Sequence, residues 1–568
     1  MRSAAALKKA MLCLMLGGML VLPVSAQHTF DGNLFFDNMP QDGKIDGGLV
    51  WDADSLIKHF PLNDNADPQL GDPFNMSDPN WIPAITSPAV GWNDDVSLFN
   101  PMPTDSCYYA GDCFEMISPV CWRGCFAPAE WEDDWSEGWT YHLVDGAGRT
   151  DIDYTKPQAI LEVGEIAYDR HLVADSLYIL TGGLFVGAGH TMTIDAGVVV
   201  LGVEEAYIAF RPGAQIQANG TAENPIIMTS AQDPGNMARG DWAGLAFLGA
   251  AEANCGLCGE TGIPDSTRFC TAEGFPPGQA YFCGDDDCDD SGYMRYVRVE
   301  YAGYELAQTN ELNAFTFNGL GAETDFAYLQ AHMGSDDQFE WFGGKCQMHH
   351  LVATGGADDN FDWQMGFRGS IQFGVSQTWP DAGDRGIEAD NNEFDYDAEC
   401  RSNPVVSNLT LIGPGNDVPS TASHGIRLRR GTDAQIYNCV IMGWPDHGIR
   451  VSDPPTVARG FHPVPGIYCG PAAVDMADLT DGGFGARAYP NLVSNDTRFA
   501  FYLPENSPTK ISVFDATGRM VEKVLDREMT AGEHSVNWSM PGLSSGTYFY
   551  RVQTNQGVAT GRIFKIAG

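Results

Sequence analysis

Between Asn313 and Val451 one short pattern is written several times, and this repetition limits the possible folds more than any other feature of the chain. Asp336-Asp337-Gln338-Phe339-Glu340-Trp341 returns 22 residues later as Asp358-Asp359-Asn360-Phe361-Asp362-Trp363. Further copies are Asp384-Arg385-Gly386-Ile387-Glu388-Ala389, Ser423-His424-Gly425-Ile426-Arg427-Leu428 and Asp446-His447-Gly448-Ile449-Arg450-Val451, with a degenerate copy at Asn313-Ala314-Phe315-Thr316-Phe317. Each copy alternates apolar, polar, apolar, which is the period of a strand with one buried face. A unit this short cannot bury that face alone, so the copies must stack. The expected fold is all-β: a right-handed parallel β-helix, with equivalent residues about 4.8 Å apart on successive turns.

Stacking converts the repeats into columns. The expected inward column is Phe315, Phe339, Phe361, Ile387, Ile426 and Ile449. The outward column is Thr316, Glu340, Asp362, Glu388, Arg427 and Arg450, acidic and then basic. A corner column holds Asn313, Asp337, Asp359, Arg385, His424 and His447, preceded by Asp336, Asp358, Asp384, Ser423 and Asp446. Trp341 and Trp363 fall on the inward face and are expected in the core rather than stacked on sugars.

The rest of the chain sets the context. With 568 residues there is room for more than one domain, and 65 glycines and 33 prolines suit a turn-rich β protein. The formal charge of −43 argues against nucleic acid, whose phosphates need a basic surface. Such a charge suits divalent cations, basic partners or a saline habitat, or simply keeps the protein soluble. Arg2, Lys8 and Lys9, the apolar run Met11–Leu22 and Val24-Ser25-Ala26 read as a signal peptide over 1–26. No later apolar run is long enough for a membrane span. Thirteen cysteines then remain, expected to be mostly disulfides in an exported protein. The Cys255-x-x-Cys258 spacing also fits the start of a zinc or redox site.

Residues 27–158 are irregular and are expected to form a cap or lead-in, because an open solenoid end exposes strand edges and core. Regular strands are expected over 159–453, interrupted by a Cys-rich acidic insertion at 250–292. Residues 454–488 read as a linker. The last part, 489–568, carries eight Lys/Arg and seven Asp/Glu and reads as short strands of a small β-sandwich.

Two resemblances add to this. Met192–Val200, Ile208–Thr221, Ala222–Ser230, Trp242-Ala243-Gly244-Leu245 and Met294–Gly303, with the repeats above, resemble a widespread group of secreted bacterial parallel β-helix proteins. That resemblance implies the fold and no particular activity. Tyr489-Pro490-Asn491, Ile511–Asp515, Gly518-Arg519, Val536-Asn537-Trp538, Gly542–Arg551 and Lys565 resemble the C-terminal sorting domain of the type IX secretion system. Asn491 is followed by Leu492, where a proline is commoner. This second resemblance implies the type IX machinery as partner, export across the outer membrane of a member of the Bacteroidota or a related group, and an extracellular or cell-surface location.

Chemistry is expected on the outward column. Glu340, Asp362 and Glu388 stack like charges, which is destabilising unless something compensates. A cation, a shared proton, or Arg385 and Arg427 can do so. Asp336, Asp337, Asp358 and Asp359 are candidate calcium ligands. Asp287-x-Asp289-x-Ser291-Gly292 matches the first half of a calcium loop, but Arg298 stands where the closing Glu belongs. Three readings compete. One is a calcium-stabilised binding protein, adhesin or scaffold that meets a polysaccharide or cell-surface glycan. Another is a polysaccharide lyase or glycoside hydrolase using Asp362, Glu388, Arg385, His424 and Arg427. The third is pure structure, with ion-pair ladders and Asx turns. His424 and His447, sharing a column, are candidates for a shared metal or for corner hydrogen bonds. His349-His350 and His332 are expected as outer-face decoration, because alternation points adjacent histidines apart.

Overall fold

The computed structural model describes residues 124–127, 134–255, 270–276, 278–307, 310–415 and 420–458, shorter stretches between 28 and 87, and most of 486–565. The signal peptide, most of the linker, and Cys107, Cys113, Cys121, Cys258 and Cys469 lie outside the described residues.

The stacked repeats form a parallel β-helix with two long sheets, of 17 and 12 strands. The 12-stranded sheet, called the site sheet below, contains all six repeat strands. Their pairing follows the columns: Thr316 faces Glu340, Glu340 faces Asp362, Asp362 faces Glu388, Glu388 faces Arg427, and Arg427 faces Arg450. The inward column is buried throughout, as are Trp341 and Trp363. Phe315, Phe339 and Phe361 stack at 5.0 and 5.7 Å between centroids. Each buried ring contributes about 1.5–3 kcal/mol relative to exposure, so register is set by the core and not by the charges outside it.

The second sheet departs from simple alternation. Its long strands Gly292–Glu300, Asp325–His332, Gln347–Thr354, Ser370–Gln377 and Val405–Ile412 each contain one left-handed residue that is not glycine: Tyr296, Tyr328, His350, Phe373 and Asn408, with φ between 52° and 59°. At that residue the strand turns a corner and the pairing skips one position. A left-handed residue that is not glycine costs about 1–2 kcal/mol. Stacking offsets this, at about 0.5–1.5 kcal/mol per ring pair. Tyr296 lies 4.6 Å from Tyr328, Tyr328 4.4 Å from His350, and His350 5.1 Å from Phe373. This corrects the expectation for His349 and His350. Because His350 breaks the alternation, the two rings meet, Nδ1 to Nδ1 at 2.6 Å, and Trp135 covers His350. His332 is likewise fully buried and bonded to Thr354 and the Leu143 carbonyl.

The first strands of the N-terminal region lie at the last turn and not at the first. His28–Asp31, Leu34–Phe36 and Gln41–Ile45 add parallel strands to Ala434–Tyr437, Val440–Met442 and His447–Val451 at the far end of the solenoid. Leu49–Trp51 then folds back antiparallel on Gln41–Ile45. The chain returns along the outside, where Trp81, Phe126 and Trp139 pack over Val352, Val375, Ile412 and Val440. Arg149 of this strap reaches the buried Glu300 at 3.0 Å, and Arg298, on the same strand as Glu300 and 3.0 Å from it, holds the strap through Asp151 and through the Trp139 carbonyl at 3.1 Å. Only at Gln158–Ile160 does the first turn begin. The N-terminal strands thus cover the strand edges of the last turn, which a solenoid must hide.

Cys255 pairs with Cys270, and Cys283, Cys288 and Cys400 are also disulfide-bonded. Cys125, Cys346 and Cys439 are buried free thiols, and the Cys255–Cys270 bridge lies within the insertion. The tail is a sandwich of a three- and a five-stranded sheet around Phe499, Phe501, Ile511, Val513, Trp538 and Tyr550. No helix among the described residues is long and apolar enough to cross a membrane.

Candidate functional site

The outward column points away from the core, yet its carboxylates are not solvated. Glu340, Asp362 and Glu388 are 4%, 7% and 5% exposed. Two walls enclose them. One is the insertion, pinned by Cys255–Cys270 and seated through Phe275, whose ring meets Tyr207 at 5.1 Å and Phe185 at 5.7 Å. The other is the segment after Ala389, joined to the insertion by Asn254 Nδ2 donating to Asn391 Oδ1 at 2.7 Å and by Asn392 Nδ2 donating to the Asn254 carbonyl at 3.0 Å. What alternation placed on an open ridge therefore lies in a walled cleft.

The acidic half is short of positive charge. Two carboxylates one turn apart repel by roughly 3–4 kcal/mol at an effective dielectric of 20, more than a surface ion pair returns. Ligand atoms of Asp337, Glu340 and Asp362 lie within 4.8 Å of one another, as do those of Asp336, Asp337 and Asp358, and of Asp358, Asp359 and Asp384. Gln364 Nε2 donates to Glu340 Oε1 at 3.0 Å, and Asn313 Nδ2 donates to Glu340 Oε2. The backbone N–H of Asp359 donates to Asp337 Oδ1 at 2.9 Å. Asp362 Oδ1 and Asn313 Oδ1 are buried and accept nothing. Burial, then repulsion from Asp362, pushes Asp337 well up; burial, then Glu273, does the same to Glu340; burial, then Glu340 and Glu388, to Asp362. Burial and neighbouring carboxylates lift Asp336 and Asp358 to about 7, and Asp359 to about 8.

The basic half is better paired. Arg385 reaches Asp359 at 3.1 Å, Glu388 at 2.6 Å and Asp384 at 2.6 Å. Arg429 joins Glu388 to Asp390, and Arg430 lies 2.9 Å from Asp390. Burial and Asp359 push Glu388 up to about 8, with Arg429 and Arg385 pulling against them. Arg427 differs from the other three. Its Nε donates to Ser452 Oγ at 3.3 Å, and Glu388 is 3.9 Å away. Burial and Arg385 lower its pKa, so it is the least neutralised arginine of this group.

Of the other expected residues, His424 is buried and faces Asp446, His447 and Arg450, and not the carboxylates of Asp359 and Glu388. The half calcium loop is committed inside the fold. Lys345 Nζ holds Asp287 at 2.6 Å. Asp289 accepts from Ser291 Oγ at 3.2 Å, with burial raising it to about 6. Sequence reasoning missed Asp390, Arg429, Arg430 and Glu273. Asp390 was within reach, two residues beyond Glu388 on the same face, and Arg429 and Arg430 directly follow a repeat strand. Glu273 carried no signal. Its insertion brings it against the column, where burial and Glu393 lift it to about 7.

A family model described as a pectate-lyase-like beta helix domain matches residues 164–463. A second, described as a secretion system C-terminal sorting domain, matches residues 487–566. No curated protein matches the chain.

Proposed function

The chain belongs to the pectate-lyase-like beta helix domain family, and from this we propose that its walled cleft binds an anionic, uronate-type polysaccharide with the help of calcium. The sorting domain sends the protein across the outer membrane through the type IX system, to the cell surface or beyond, where such polymers are met. The observation that carries the reading is Asp362: a carboxylate 7% exposed, between Glu340 and Glu388, with a buried oxygen that accepts nothing.

An isolated buried carboxylate is protonated or paired with a cation. The oxygens gathered at Asp362, from Asp337, Glu340 and Asp362 itself, fit a hard cation, and Asn313, bonded to Glu340, has a buried Oδ1 that accepts nothing. Asp336, Asp358, Asp359 and Asp384 extend this set along the corner. Calcium held there supplies positive charge to a sugar carboxylate and offsets the repulsion within the column. Arg427, whose nearest carboxylate is Glu388 at 3.9 Å, is placed to take the next acidic group. Arg385, Arg429 and Arg430 hold Glu388 and Asp390 in position.

A lyase reading has one observation in its favour: Arg427 is loosely held, with Ser452 Oγ at 3.3 Å and Glu388 at 3.9 Å, one turn from the acidic half of the column. There it is placed beside the carbon next to a uronate carboxylate, the position at which a lyase removes a proton. The test is calcium titration of the chelator-treated mature chain, followed by polygalacturonate binding with and without calcium. Calcium Kd on the order of 10⁻⁵ to 10⁻³ M is expected, with polymer retained only when calcium is present and released by Arg427→Gln. Retention that ignores both calcium and Arg427→Gln rejects the proposal. Unsaturated product, followed by its ultraviolet absorbance, marks a lyase; retention without product marks a binding protein.

A further inference from the structure

At the basic end of the repeats, two histidines and one aspartate converge. His424 and His447 face each other in register on adjacent strands, with ring centroids 5.3 Å apart. Asp446 lies beside both: its Oδ2 is 3.3 Å from His424 Nδ1 and its Oδ1 is 3.3 Å from His447 Nδ1. One ligand atom from each of the three residues falls within 4.8 Å of the other two. The imidazoles are buried, whereas the Asp446 side chain is 46% exposed and leaves one side of the group open to solvent.

The distances have a chemical meaning. Four ligands at about 2.0–2.1 Å around a tetrahedral zinc lie about 3.4 Å from one another. Each imidazole lies at about that distance from its own oxygen of the Asp446 carboxylate, either of which can serve as the ligand. A pair of ordinary histidine–aspartate hydrogen bonds is the competing explanation, but His424 Nδ1 makes no hydrogen bond despite its distance from Asp446. The surroundings oppose a cation in part, because Arg450 Nη1 lies 3.4 Å from His424 Nε2. Asp446 supplies the compensating charge. We propose that His424, Asp446 and His447 form a zinc site with an open coordination position, distinct in ligand chemistry from the oxygen-only group around Asp362. Imidazole nitrogen selects zinc over calcium, and carboxylate oxygens alone select the reverse.

The site is tested on the chelator-treated mature chain by zinc titration against a chromophoric chelator, and by cobalt substitution read in the visible spectrum. The expected result is one zinc per chain and an intense tetrahedral cobalt band that one equivalent of zinc removes. His424→Gln and His447→Gln should each weaken zinc by at least about 10–100-fold, the scale that even supporting residues of metal sites carry. Asp362→Asn should leave zinc affinity unchanged and so separates this site from the calcium reading. Should both histidine variants fail to fold, Asp446→Asn, altered at a half-exposed carboxylate, must weaken zinc and abolish the cobalt band. The proposal is overturned if the wild-type chain takes up no stoichiometric zinc, or if His447→Gln or Asp446→Asn binds it as the wild type does.

Discussion

Asp362 shows how one position can be chosen against stability. Its neighbours in register are Glu340 and Glu388, and the arginines that pair with Glu388 make no ion pair with it. Asp362→Asn keeps the shape and removes the charge. In calcium-free buffer at pH 8 the variant is expected to be more stable than wild type by about 1–3 kcal/mol, since a buried carboxylate crowded by Glu340 and Glu388 is lost. Added calcium should then stabilise the wild type and leave the variant unmoved. Urea unfolding with and without calcium measures both effects, and a variant less stable than wild type without calcium would falsify this account of the column. The carboxylates themselves were legible from alternation alone, because a period of two assigns every second residue to one face. Their burial was not. The sequence around Asp362 contains nothing that covers it; the cover comes from Phe275 and Asn254 in the insertion and from Asn391 and Asn392 beyond the strand.

At the scale of the strands, register depends on a few backbone positions. Gly292 has φ near 111°, and a Cβ there would strike the Ile216 backbone oxygen. It opens the strand that pairs with both Gln215–Asn219 and Ile226–Ser230 as the chain leaves the insertion. Gly292→Ala is expected to cost about 1–3 kcal/mol, seen in thermal unfolding and as faster amide exchange at Gln217 to Asn219. His350→Asn offers the contrast. Asn408 and Asn438 are already left-handed at φ 55° and 53°, so asparagine suits this corner, and the loss is confined to ring stacking, about 1 kcal/mol. An Asn variant as damaging as Gly292→Ala would mean that the rings, and not the backbone, define the corner. The site-sheet strands were legible because each alternates cleanly. The corners in the other sheet were not, since Tyr, His and Phe give no sign of a left-handed backbone.

For the molecule as a whole, the raised carboxylates predict an unusual pH response. Asp336 and Asp358 near 7, and Asp359 and Glu388 near 8, lie above their unfolded values of about 4. Groups of this kind add stability that is full below pH about 4 and is lost as pH rises through about 7–8. Chelator-treated protein should therefore melt at a lower temperature at pH 8 than at pH 5. Saturating calcium should raise Tm strongly at pH 8 and little at pH 5, where protons already neutralise the column. Because the net charge of −43 contributes in the same direction, the deciding quantity is the wild type's pH slope minus that of Asp362→Asn. Equal slopes would mean that the column is already neutralised in the folded chain.

The amino-acid sequence by itself determined the solenoid, its register and the order of charges along its outer column, because each follows from local periodicity repeated at nearly constant spacing. It also determined the sorting tail, whose motifs are contiguous. Only the tertiary structure decided that the N-terminal strands close the far end of the solenoid, and that the column lies in a cleft rather than on a ridge. It alone brought Glu273 to Glu340, and Asp446 between two histidines. These outcomes join residues far apart in the chain or set side-chain direction at corners, where neither the period of two nor the repeat length carries information.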